Sequence, residues 1–277
     1  MESAAGKIPT GKSVLELWLA YPGDLAEPAT EEACTALLDD AERARAARFR
    51  FDRHRREFLT THALARVALS HAHPLPPDAW SFSFNPYGKP SPIPECGLRF
   101  SQSNSLELTV CLIARPGAHA SVHPGAAAAL EGPEVGVDVE SLARADEIVP
   151  LAARVFSAAE RARLEALPAA ERPDRALLLW TLKEAYVKAR GMGLSLPLQE
   201  ISFLFDGPQA IRFEVAPGVD DDPGRWRFCR FDHAGHRIAL AVEAAAAPEP
   251  EIALEIFEVR PPLEPPSRLA LGSPAWS

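Results

Sequence analysis

Cysteine is scarce: the 277 residues hold four, Cys34, Cys96, Cys111 and Cys229, and no two form a CxxC pair. That scatter argues against a zinc site or a disulfide framework and suits reduced thiols in a cytoplasm. Long apolar runs are also missing. Nothing approaches the roughly 20 residues of a membrane span, and the early run Val14–Ala20 contains Glu16 and lacks the layout of an export signal, so neither membrane insertion nor export is expected. An excess of positive charge is lacking too. The net charge is −9, which argues against a general nucleic-acid binder, because phosphate affinity needs a basic surface. Lysine is rarest among the cations, with five against 24 arginines.

What is present describes a folded, soluble chain. Hydrophobic residues make up 47% and charged residues 24%, and the length suits one large domain or two ordinary ones. The 27 prolines gather in loops and beyond Ala247.

The pentapeptide AERAR occurs at Ala41–Arg45 and again at Ala159–Arg163, and the elements around each copy recur in one order. VLELWLAY (14–21) precedes the first copy and VGVDVE (135–140) the second. The next helix carries Phe58, His62 and Arg66 in one half and Trp180, Glu184 and Lys188 in the other, both at i, i+4, i+8. SFSFNPYGKP (81–90) then answers SFLFDGPQA (202–210), each an alternating strand entering a turn. RFSQSN…LTVCLIA (99–114) answers RFCRFD…RIALAVEA (227–244) as a two-strand finish. Five elements in order imply a duplicated unit. The expected architecture is α+β: two similar modules about a pseudo-twofold, joined through 115–134, with a cleft at the seam.

Asp138 and Glu140 stand two apart on an extended segment and so project from one face, with Val137 and Val139 on the other. Adjacent carboxylates repel unless a cation lies between them, although a lone DxE also describes a solvated strand end. In WTLKEAYVKARGMGL, helical spacing puts Lys183, Glu184 and Lys188 on or near one face, and the glycines at 191 and 193 end the helix. Such a face can be a mere exposed salt bridge. Yet three of the five lysines sit in two short motifs, YGKP and WTLKEAYVK, as a compact ammonium beside a phosphate oxygen would require. Asp138, Glu140 and Glu184 together offer three hard oxygen ligands suited to Mg²⁺ with substrate phosphate. The segment ERARAARFRFDRHRR (42–56) reads either as a solvated helix or as a guanidinium clamp for phosphates.

Taken together, GVDVE, WTLKEAYVKARGMGLSLPL, NPYGKP and RFSQSNS resemble the 4'-phosphopantetheinyl transferase superfamily in its longer, pseudo-dimeric, surfactin-synthetase-activating-like type, from about Val14 to Ala246. The resemblance implies an N-terminal module over 1–120 and a C-terminal module over 121–246 carrying the metal site; the Pro-rich tail over 247–277, without clear periodicity apart from EIALEIFEV, is expected as a surface appendage or partly disordered. It also implies transfer of 4'-phosphopantetheine from coenzyme A to a serine of an acyl, aryl or peptidyl carrier protein, Mg²⁺-dependent, by a cytoplasmic monomer and with a leaning to secondary metabolism. By motif match Asp138, Glu140 and Glu184 would hold the metal, with Glu184 the candidate base. Lys188 would neutralise phosphate charge and Lys183 would assist. Lys89, Ser103 and Asn104 would contact coenzyme A, with Arg45 and Arg48 toward the adenosine 3'-phosphate. Carrier docking would use apolar residues around Met192 and Leu194.

The chain departs from the family in having Ser103-Asn104 where Ser-His is usual, and Glu42 and Glu57 where basic residues are frequent. Two other readings remain at this level: a carrier-protein-binding module without turnover, and a different Mg²⁺-dependent phosphate enzyme.

Overall fold

A computed structural model describes residues 13–116, 132–207, 210–244, 252–260, 266–269 and 275–277. The first half runs β1 (Ser13–Ala20), helices α1 (Pro28–Ala36), α2 (Asp40–Ala46) and α3 (Asp52–Ala72), then two hairpins, β2 (Ser81–Phe84) with β3 (Pro90–Ile93) and β4 (Arg99–Ser105) with β5 (Leu108–Ala114). The second half runs β6 (Val135–Ser141), the short α4 (Ala145–Ile148) and α5 (Ala152–Val155), α6 (Ala158–Ala166) and α7 (Arg172–Arg190). It closes with the hairpins β7 (Ile201–Phe205) with β8 (Ile211–Val215) and β9 (Trp226–His233) with β10 (His236–Glu243). Two strands follow, β11 (Ile252–Glu258) and β12 (Ser267–Arg268).

The larger sheet has the order β12-β11-β1-β5-β4 and the smaller β6-β10-β9. In each half the opening strand pairs antiparallel with the closing strand, which pairs antiparallel with the one before it. The α+β class and the repeated order of elements are therefore both present. The boundary expected at 120/121 lies outside the described residues.

One apolar core belongs to both halves. Leu15, Leu17 and Leu19 of β1 and Val110 and Leu112 of β5 meet Val135, Val137 and Val139 of β6 and Ile238, Leu240 and Val242 of β10. The outer faces are covered by the long helices, α3 over Trp18, Cys111 and Ile113, and α7 over Ala239 and Ala241. Among the described residues no helix is long and apolar enough to cross a membrane.

The repeated AERAR has a physical explanation. Each copy opens a helix whose glutamate is the third residue of a capping box: Glu42 with Asp39 on α2, and Glu160 with Ser157 on α6. Each glutamate also neutralises a fully buried cation of the following long helix, Glu42 holding Arg66 at 2.7 Å and Glu160 holding Lys183 at 2.9 Å. By partner, then, Arg66 answers Lys183. Helical spacing alone pairs it with Lys188.

The tail is a correction. Far from being an appendage, β11 lies parallel to β1 in the larger sheet, with Phe257 stacked on Trp18 at 4.7 Å. Farther on, Trp276 bridges Cys229 on β9, the edge strand of the smaller sheet. Alternating apolar residues in IALEIFE supply a strand for the open edge beside β1, and pairing satisfies backbone groups that an edge leaves exposed.

Candidate active site

Strand β6 carries the acidic pair. Val137 and Val139 enter the core between the sheets, so the pleat turns Asp138 and Glu140 the other way, toward β4 and α7. The two halves meet here through alternate serines of β4. Ser101 Oγ accepts from the Val137 amide and Ser105 Oγ from the Ser141 amide, each at 3.1 Å. Ser103 donates to Asp138 Oδ1 and Ser105 to Glu140 Oε2, both at 2.9 Å. Serine hydroxyls thus join β4 and β6, which belong to different sheets.

Helix α7 supplies the opposite wall. Pro173 lies in its first turn and Gly191, at φ 61°, ends it in the left-handed region. A Cβ on Gly136 would stand 1.9 Å from the Ala185 carbonyl oxygen, so only glycine lets α7 lie this close to β6. That approach brings Lys188 Nζ to 2.7 Å from both Asp138 Oδ1 and Ser103 Oγ. One turn earlier, the Glu184 carboxyl is pushed up to about 7, first by burial and then by the charge of Asp138; Lys188 opposes the shift and Glu140 adds to it.

Two cavities flank this junction and share Lys188 and Gln102 as walls. The polar one, of about 400 Å³, adds Asp138, Glu140, Asn104, Arg45 and His62. The other, of about 360 Å³, is largely apolar and adds Glu184, Tyr87, Pro90, Phe100 and Val187.

The donor set suits a hard cation in two respects. Asp138 Oδ2 is buried with no partner, and the like charges around Glu184 are those a divalent ion relieves. The three carboxylates nonetheless do not converge as a ligand set: among the described residues no group of three His, Cys, Asp or Glu stands in metal-holding geometry. Asp138 Oδ1 is taken by Lys188 and Ser103, and Glu140 by Ser105, Arg144 and the Trp180 indole N–H.

Of the other expected residues, Ser103, Asn104 and Arg45 line the polar cavity, with Arg45 over the Phe58 ring at 5.1 Å. Three are corrected. Lys183 is not at the site: it is fully buried behind α7, paired with Glu160 and donating to the Leu198 carbonyl at 2.7 Å, because helical spacing turns it into the core while Glu184 faces the seam. Lys89 lines the apolar cavity, but its ammonium is engaged by Glu134 and by the Ala189 carbonyl at 2.6 Å, which caps the end of α7. Asn85 of the same turn donates to the Gly191 carbonyl at 2.7 Å, so NPYGKP docks the first half onto that helix end. Arg48 is exposed and lines neither cavity. Met192 is half-buried against the core, and the Leu194 side chain lies outside what is described.

Sequence reasoning missed Gln102 as a wall residue, whereas His62, matched to Glu184 by the repeat, was expected at the cleft and does line the polar cavity. Gln102 carried no signal beyond its place between two serines. His62 stacks on Phe58 at 3.9 Å and its Nδ1 donates to the Phe58 carbonyl at 2.8 Å. Burial lowers its pKa, opposed by that hydrogen bond and by Glu42.

Comparison with known proteins follows the same outline. Residues 134–241 match the family described as the 4'-phosphopantetheinyl transferase superfamily. The chain is 29% identical to the 4'-phosphopantetheinyl transferase HetI of a Nostoc species, over 73% of this chain and 79% of the relative. A putative 4'-phosphopantetheinyl transferase of a Synechocystis species is 30% identical over 69% of this chain and 71% of its own. The transferase Sfp of Bacillus subtilis is 27% identical over 62% and 68%. A solved holo-(acyl-carrier-protein) synthase from Bacillus anthracis, in complex with CoA (3',5'-ADP), aligns with a TM-score of 0.34 and 17% identity, over 40% of this chain and 96% of that one.

Proposed function

The chain belongs to the 4'-phosphopantetheinyl transferase superfamily, and on that premise we propose that it moves the 4'-phosphopantetheine arm of coenzyme A onto a serine hydroxyl of an apo-carrier protein. The serine oxygen forms a bond to the β-phosphorus, the bond from that phosphorus to the bridging oxygen breaks, and adenosine 3',5'-bisphosphate leaves. The observation that carries the reading is the position of Lys188. Its ammonium sits on Asp138 and Ser103 at the wall shared by a polar cavity and an apolar one. A diphosphate in the polar cavity and a pantetheine arm in the apolar one would meet at that wall.

Each residue then has a task that its environment supports. Lys188 neutralises charge gathering on the phosphate oxygens, the largest electrostatic need of a phosphoryl transfer. Glu184 accepts the serine proton on its carboxylate, and a carboxyl held near 7 suits a base working at neutral pH. Arg45, exposed at the rim of the polar cavity, offers its guanidinium to a phosphate of the nucleotide. Mg²⁺ would offset diphosphate charge; Asp138 Oδ2, buried and without a partner, would offer it one oxygen, while Asp138, Glu140 and Glu184 do not form a ligand set as they stand. The carrier would be of the acyl, aryl or peptidyl kind. A single chain supplies both halves of the site, so a monomer would suffice.

Mass spectrometry of an apo-carrier incubated with Mg²⁺, coenzyme A and the protein tests this. A carrier heavier by one phosphopantetheine is the expected result. An unchanged carrier with altered nucleotide would point to a hydrolase, and no change in either to a binding module; both would overturn the proposal.

A further inference from the structure

We propose that Gln102 is a substrate-binding residue whose side-chain amide receives the hydroxyl of the pantetheine arm at the boundary between the two cavities. This assignment rests on the transferase reading above.

Gln102 lines both cavities, a position it shares with Lys188 alone among the residues around them. Its side-chain Oε1 is buried and has no hydrogen-bond partner. Such an orphan acceptor is costly, because water is removed and nothing replaces it. The neighbouring serines do not repair it: neither hydroxyl reaches Oε1, and Ser103 spends its proton on Asp138 while accepting from Lys188. Turning the terminal amide about its last side-chain bond would present the oxygen to a donor arriving in either cavity.

The chemistry of coenzyme A supplies a donor at that place. From the phosphate ester, the arm runs through a methylene and a carbon bearing two methyl groups to a carbon bearing a hydroxyl, and then to the first amide. With the phosphate beside Lys188 in the polar cavity, the dimethyl carbon meets the apolar wall of Phe100 and Val187. The hydroxyl follows within two carbons of the phosphate ester's methylene, where the shared wall is Gln102. An acceptor there reads the pantoyl part of the arm and holds the phosphorus in line for attack.

The test uses two co-substrates and two proteins, with transfer to an apo-carrier as readout: coenzyme A, its analogue with hydrogen in place of the pantoyl hydroxyl, the wild-type chain and Gln102→Leu. The wild type is expected to show kcat/KM lower by about tenfold for the deoxy analogue, the worth of one neutral hydrogen bond. Gln102→Leu is expected to treat the two alike. Comparing two ligands on one protein keeps the result independent of any change in folding. Equal use of both co-substrates by the wild type, or undiminished discrimination by Gln102→Leu, overturns the assignment and leaves the transferase reading standing. Absence of transfer from coenzyme A by the wild type overturns both.

Discussion

Ser103 on the edge strand of the first half donates to Asp138 on the edge strand of the second, Oγ to Oδ1, at 2.9 Å. Lys188 closes the triangle with 2.7 Å contacts to both. The acid, the hydroxyl and the ammonium come from three elements and two halves, so the site exists only while the seam is closed.

Lys188→Met is expected to lower kcat of carrier modification by about 10²- to 10³-fold, the usual cost of removing one electrostatic stabiliser. Because the buried Asp138 loses its cation as well, rates are compared per folded molecule alongside thermal unfolding. A kcat within threefold of the wild type would remove Lys188 from the mechanism.

Glu184→Gln keeps the shape of the side chain and removes the carboxylate proposed as the base. A loss of about 10² to 10⁴ in transfer rate is expected, with the protein still folded. Single-turnover measurement with saturating coenzyme A separates this from a loss of binding.

Lys183→Met should behave differently. It leaves Glu160 buried without its cation, and breaking a buried pair costs about 3–5 kcal/mol of stability. Activity per folded molecule should hold. Denaturant titration alongside active-site normalised rates distinguishes this from the catalytic role that sequence spacing suggested.

Gly136→Ala would force a methyl group against the Ala185 carbonyl. Overpacking costs of about 1–3 kcal/mol, or more where backbone must move, are expected, together with weaker coenzyme A binding as α7 shifts from β6. Calorimetry of both properties on one preparation checks the coupling.

His62 sets a pH dependence whose sign follows from burial. Its folded pKa lies below the ordinary imidazole value of 6.5, with burial and the charges of Arg66 and Arg45 lowering it and Glu42 and the Phe58 carbonyl opposing them. The unfolded chain therefore binds more protons in that window, so stability is full above 6.5 and is lost as pH falls from 6.5 toward the folded pKa. His62→Phe is expected to flatten that slope in unfolding free energy measured between pH 7.5 and pH 5.5, the endpoints being about one unit either side of the ordinary value. A wild type with no slope there would contradict it.

Sequence alone determined the elements and their order, because local periodicity and capping are written in neighbouring residues. The alternation of VGVDVE, the caps on both AERAR helices and the glycine after Arg190 all act within one turn or one pleat. It also singled out Asp138, Glu140, Glu184 and Lys188, which the fold brings to the walls of two adjoining cavities. Tertiary structure alone decided which partner each lysine has. Lys183 and Lys89 look equivalent to Lys188 in a string of letters, yet one pairs with Glu160 in the core and the other caps a helix end from the opposite half. It likewise decided that the tail completes a sheet and that Gln102 faces two cavities. Those outcomes depend on contacts between segments far apart in sequence, and no local pattern carries their geometry.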